Sequence, residues 1–320
     1  MPRLNLPLIA DAAQYESHFK DGVWREAAAA ICARHGLPHN ELRRAPQGEN
    51  IIFFGDERFA VKIFAPFRES YARETAALEF ALDKIDIKTP GILYKGELEG
   101  WSYLVLTRLK GLPATEVWAE VESHERLEIV ARLGAALKSL HGHGAPLSAP
   151  ALNRDWRGFI ERQAETCVAR QRACGANAGW LERLPAYVAA RLELLPAGYK
   201  PVLLHGDVHL GNLLLARNKG GWEITGLLDF GDSFCGFHEY DFVAPGVLML
   251  QGNRELQRAF LLAYGYRESH LDMNLRARLM LLTVLYECSN LRKYALRLKP
   301  ESVHYTLDEL EAAIWTFAAE

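Results

Sequence analysis

Residues 201–232 read PVLLHGDVHLGNLLLARNKGGWEITGLLDFGD, and the assignment of this stretch decides the fold. An apolar run, Val202 to Leu204, leads into a polar loop, His205-Gly206-Asp207-Val208-His209-Leu210-Gly211-Asn212. A second apolar run, 213–215, follows at once. Arg217-Asn218-Lys219-Gly220-Gly221 has the composition of a turn, and 222–228 reads as a strand that ends in Asp229-Phe230-Gly231. Short apolar runs bounded by Gly, Asn and Lys predict strands, and the pair flanking Gly-Gly predicts a hairpin.

Such a hairpin, 201–232, brings Asp207, Asn212 and Asp229 together at its open end. A carboxylate, an amide five positions later and a second carboxylate after the next strand suit phosphoryl transfer. One Asp orients an attacking hydroxyl and accepts its proton, while the Asn and the other Asp offer oxygens to Mg²⁺. Two protein ligands suffice, because Mg²⁺ keeps waters and phosphate oxygens in its shell. His-Gly-Asp alone is a polar turn and Asp-Phe-Gly alone a strand end. The ordered set in a strand–loop–strand context is what carries information.

The chain of 320 residues is long for one small core and predicts two lobes. With 49% hydrophobic and 24% charged residues it is ordinary globular protein. A net charge of −3 gives no reason to expect a nucleic-acid polymer or an anionic membrane as partner. No run has the length of a membrane-spanning helix. The first residues carry a short apolar patch interrupted by Asp11, and no signal peptide is read there. Five scattered cysteines without a CxxC pair indicate neither a disulfide framework nor a zinc site, which suits a reducing cytoplasm.

Ahead of the opening stretch, 21–34 is rich in helix formers, and 51–54 with 59–64 predicts a hairpin. The second of these strands carries Lys62 in Phe-Ala-Val-Lys-Ile-Phe, an ammonium that is costly to bury unless paired. Glu74, on a helix predicted over 68–84, is the preferred partner, with Glu69 and Glu79 as alternatives. Lys62 then reaches the α- and β-phosphates of a nucleotide; alone, it reads as an edge-strand lysine facing water. Gln47-Gly48-Glu49-Asn50 precedes a strand and offers Gly48 and Asn50 to phosphates, although it is neither GxGxxG nor a P-loop. A further hairpin, 92–98 with 101–109, leads into a connector whose main chain, at Thr107 and Leu109, can meet a nucleotide base. From 111 onward only helices are expected (121–141, 156–172, 178–194, 241–251, 254–263, 271–298, 307–319), apart from the catalytic hairpin. Strands first and helices later predict an α+β chain with an N-terminal lobe, 1–110, and a helical C-terminal lobe, 111–320.

These residues together, from His205-Gly-Asp207 to Asn212 and Asp229-Phe-Gly-Asp232, with Lys62, Glu74 and Leu140-His141 ahead, resemble the aminoglycoside phosphotransferase/choline kinase branch of the protein-kinase-like fold. The resemblance spans roughly 44–242. It implies a Mg²⁺-dependent kinase using ATP or GTP, with Asp207 as catalytic base, Asn212 and Asp229 as metal ligands and Lys62 on the phosphates. It also implies that Asp241 braces the catalytic loop.

Asp229-Phe-Gly is followed within about a dozen residues by that Asp and a new helix, so a long activation segment and Ala-Pro-Glu are missing. A small hydroxylated acceptor is expected in place of a protein. A Ser/Thr protein kinase of the same branch and a non-catalytic nucleotide-binding protein are the alternatives. His205, Asp207 and His209 at alternate positions also suit a metallophosphoesterase, but no second His/Asp cluster supports two metals.

Overall fold

The computed structural model describes residues 4–20, 22–46 and 49–318. Two helices lead, α1 (Ala12–His18) and α2 (Val23–Arg34). Next come β1 (Arg43–Arg44), β2 (Ile51–Gly55), β3 (Phe59–Ile63), α3 (Ser70–Ala81), β4 (Ile92–Leu98) and β5 (Trp101–Thr107). The strands form one antiparallel sheet in the order β1-β2-β3-β5-β4. Side chains alternate across it, as the two-residue period of a strand requires. Trp101, Tyr103 and Val105 join Phe53, Val61 and Ile63 in a cluster with Trp24 and Ile31 of α2. Leu104 and Leu106 belong instead to a cluster that runs through Leu78 of α3 into the second lobe. Lys62 pairs across the ladder with Leu104, so it lies on that second face, toward α3 and the other lobe.

The rest of the chain follows Gly111, whose φ of 138° is open to glycine and whose absent Cβ leaves room for Thr225 and Leu215. It contains β6 (Leu112–Pro113), α4 (Ala114–Val117), α5 (Ser123–Gly142), α6 (Trp156–Ala173), α7 (Ala178–Ala189), β7 (Val202–Leu204), β8 (Leu213–Asn218), β9 (Gly221–Leu227), β10 (Phe234–Gly236), α8 (Val243–Pro245), α9 (Arg254–Tyr264), α10 (Met273–Leu285), α11 (Leu291–Leu298) and α12 (Leu307–Ile314). Side-chain caps set the helix starts: Asp155, Asn177, Asn253, Asp272, Asn290 and Thr306 each accept a first-turn N–H.

Three expectations need correction. The stretch 201–232 is not one hairpin: β8 pairs with β9 and β6, while β7 pairs with β10, Val202 opposite Gly236. The β8–β9 hairpin is thus inserted between two strands that close on each other. The helix expected over 241–251 is a 3-10 turn, the short α8 and a π turn at Gly246–Leu250, because Pro245 and Gly246 are poor members of an α ladder. The helix expected over 271–298 breaks after Leu285, where Tyr286 turns extended (φ −58°, ψ 136°), and restarts at the Asn290 cap. Asp21, Gly48 and Ala319, each part of a sequence expectation, lie outside the described residues.

Candidate active site

The loop between β7 and β8 is held from below by Asp241. Its Oδ2 accepts the N–H of His205 and its Oδ1 that of Gly206, both at 2.8 Å. His141 Nε2, at 3.1 Å, donates to the same Oδ2. The His205 ring is buried beneath the loop, with Nε2 donating to Leu228 O at 3.0 Å and Nδ1 accepting the Asp207 N–H at 3.3 Å. Both nitrogens are used as in a neutral imidazole, and burial lowers the His205 pKa against the pull of Asp241. His205 therefore serves the loop's shape. Among the described residues no cluster of three His, Cys, Asp or Glu is placed to hold a metal.

Asp207 stands at the tip. Its Oδ2 accepts from His209 Nε2 at 3.1 Å and from Asn212 Nδ2 at 3.2 Å. The His209 tautomer follows from the other nitrogen, which accepts the Gly211 N–H at 2.9 Å. Asn212 Nδ2 also donates to Asp207 O at 2.9 Å, which turns the amide oxygen the other way. Tyr286 donates its O–H to Gly206 O at 2.8 Å, with the hydroxyl 3.4 Å from Asp207 Oδ1. Burial pushes the Asp207 carboxyl up, but the hydrogen bond from His209 holds it below its usual value. It is an ionised acceptor, as a base must be.

Asp229 follows β9 at a φ of 62°, next to Leu228, whose N–H bonds Asn212 O at 2.8 Å. That backbone bond puts the Asn212 and Asp229 side chains at the same end of the ladder. Lys62 Nζ lies 2.6 Å from Glu74 Oε2 and 2.9 Å from Asp229 Oδ1. Glu69 and Glu79, the alternative partners, are engaged by Arg73 and Lys95. Burial disfavours the Lys62 ammonium, but Asp229 and Glu74 more than offset it and hold it protonated. Burial raises the Asp229 carboxyl, and Lys62 pulls it below the usual range. Asp232, one turn on, is pushed up to about 6 by burial and then by Asp207 and Asp229.

The remaining sequence candidates are less committed. The Thr107 N–H bonds Gly91 O at 2.8 Å and its Oγ1 accepts the Gly91 N–H at 2.8 Å, so its main-chain donor is already taken. Leu109 packs its side chain toward Gly226 of β9. Asn50 sits just before β2 with a buried Oδ1 that has no hydrogen bond among the described residues. Tyr286 was not singled out from sequence. It ends an apolar run that reads as helix core, and only the break after Leu285 carries it to Gly206.

Two lobes, a buried lysine arriving from the sheet and a β7–β8 loop braced by Asp241 define the kinase-like fold. The chain belongs to the phosphotransferase enzyme family, whose model matches residues 42–282. It is an enzyme, a phosphotransferase. Among solved structures it is similar to wild-type aminoglycoside 2'-phosphotransferase-IIIa in its GDP complex (TM-score 0.70, 16% identity, 92% of this chain and 99% of that one). It is also similar to APH(2")-IIa in a ternary complex with streptomycin and ATP (TM-score 0.60, 17% identity, 89% and 98%). A third is macrolide 2'-phosphotransferase MphH from Brachybacterium faecium (TM-score 0.59, 18% identity, 92% and 99%). At these identities the likeness is one of fold.

Proposed function

We propose that this protein transfers the γ-phosphoryl group of ATP or GTP to a hydroxyl of a small, amine-bearing acceptor. The observation that carries the reading is the Asp207 carboxylate, ionised and aimed by His209 and Asn212, beside the Lys62–Asp229 pair. Asp207 orients the acceptor hydroxyl and takes its proton as the phosphoryl group moves. Lys62, steadied by Glu74, faces the nucleotide phosphates, with Asn50 just ahead of β2 and the Thr107–Leu109 connector at the base. The Asn212 amide oxygen and Asp229 Oδ2 are hard donors left over from the contacts above, and they fit Mg²⁺ that completes its shell with phosphate and water. Bound there, Mg²⁺ supplies charge neutralisation on the phosphates.

Two features support the acceptor class. Between Asp229 and Asp241 the chain holds only β10 and the 3-10 turn His238–Phe242, too short to lay out a platform for a protein substrate. The cleft mouth is acidic: Asp232 feels Asp207, Asp229, Glu49 and Glu287, a field that favours cationic ligands. Five free cysteines among the described residues suit a reducing cytoplasm.

The test is nucleotide consumption with ATP and GTP across aminoglycosides, amino alcohols, sugars and hydroxy amino acids, with a Ser/Thr peptide as comparator. Turnover confined to amine-bearing alcohols is expected, and turnover only with the peptide overturns the acceptor class. Asp207→Ala is expected to lower kcat by about 10²–10⁴-fold while nucleotide affinity is kept. Near-normal turnover in that variant removes Asp207 as base.

A further inference from the structure

A second concavity lies at the far end of the β7–β10 ribbon from Asp207. It has a volume of about 600 Å³, within the range that holds a small organic ligand. Val202, the first residue of β7, is in its wall, so the three-residue strand separates it from the catalytic loop. None of Lys62, Asp207, Asn212 or Asp229 lines it.

The wall has one chemistry. Tyr199, His238, Tyr264 and Tyr266 supply ring faces and edges, and the His238 and Tyr264 planes are stacked at 4° with centroids 5.6 Å apart. Lys138 and Lys200, both exposed, supply positive charge. Among the described residues no carboxylate lines the cleft. Glu239, the chain neighbour of His238, is engaged by Arg278 through two bonds of 2.6 Å and by the Tyr266 hydroxyl at 2.6 Å. The lysine ion pairs among the described residues are those of Lys62, Lys95 and Lys299, so neither rim lysine is paired. Aromatic walls take a flat ring, and unpaired ammonium groups at the rim take an anion.

We propose that this cleft is a second binding site, for a planar aromatic anion of the aryl-carboxylate class. The occupant lies against His141, which lines the cleft and donates to Asp241, the residue that holds the His205 and Gly206 N–H groups. The site is therefore two hydrogen bonds from the catalytic loop without being part of it. The inference rests on this wall alone and stands whether or not the protein proves to phosphorylate amine-bearing alcohols.

The experiment measures binding of indole-3-acetate, indole-3-acetamide and tryptamine to the full chain by calorimetry, with and without saturating Mg²⁺–ATP. Indole-3-acetate is expected to bind at least tenfold tighter than the neutral and cationic probes, in the presence of nucleotide as well. Lys138→Glu with Lys200→Glu is expected to lose that preference tenfold or more, with unchanged turnover in the absence of probe. Lys138→Ala and Lys200→Ala, made singly, take its place if the double variant misfolds, each losing part of the preference. Equal affinity for the three probes, no binding of the anion, a preference that survives every lysine variant, or displacement by nucleotide overturns the proposal.

Discussion

Lys62 is an ammonium in the interior, with a side chain 4% exposed and two carboxylates within 2.9 Å. Removing one partner of such a buried pair costs roughly 3–5 kcal/mol, because the other charge is left uncompensated. Lys62→Ala is expected to lower stability by about that amount in urea unfolding, and to raise the nucleotide KM or lower kcat. Unchanged stability together with unchanged kinetics would remove the lysine from both roles. His238 carries a different signature. Burial pushes its pKa down from 6.5 to about 4, so the unfolded chain takes up a proton before the folded one does. The neutral ring's contribution to stability is complete above pH 6.5 and is lost as pH falls from 6.5 toward 4. His238→Gln is expected to flatten the fall of Tm between pH 7 and 5; a fall as steep as wild type would show that another group sets it.

At the scale of elements, close approach and interruption matter more than helix propensity. Gly134 of α5 faces Phe260 O of α9, and a Cβ at that position would run into the backbone. Alanine is a better helix former by about 1 kcal/mol. Overpacking a tight contact costs about 1–3 kcal/mol, so Gly134→Ala is expected to lower stability in denaturant titration, against its propensity. A stabilised variant would mean that α5 and α9 separate freely. The break after Leu285 acts in the other direction, since it releases Tyr286 from a helix and delivers its hydroxyl to Gly206 O. A net hydrogen bond of about 1 kcal/mol corresponds to roughly fivefold in rate. Tyr286→Phe is therefore expected to cut kcat about fivefold with little change in nucleotide KM. An unchanged kcat makes the tyrosine a packing residue.

For the whole molecule, the decisive arrangement is a lysine from one lobe meeting an aspartate from the other, Lys62 and Asp229. A nucleotide in that cleft touches both lobes. Ligand at 100 times its Kd stabilises the folded chain by about 2.7 kcal/mol. The Tm is expected to rise with Mg²⁺ and nucleotide together more than with either alone. Asp229→Ala is expected to lose the Mg²⁺-dependent part of that rise. A variant that keeps it would place the metal elsewhere.

The amino-acid order alone announced the α+β class, the pairing of β2 with β3 and of β8 with β9, and the polar residues that meet at the cleft. Those features are local: strand period, Gly-rich turns, and motifs whose spacing is fixed by one loop. It misplaced β7 within the hairpin of β8 and β9, because Phe234–Gly236 is too short to announce a strand until Val202–Leu204 lies beside it. The sequence preferred Glu74 over Glu69 and Glu79, and the Lys62–Glu74 pair agrees; that Asp229 joins the same lysine waited for the tertiary structure. The same holds for Tyr286 and for the aromatic cleft with its two lysines. Their side chains come from elements far apart in the chain, and no periodicity within one element records a contact made between two.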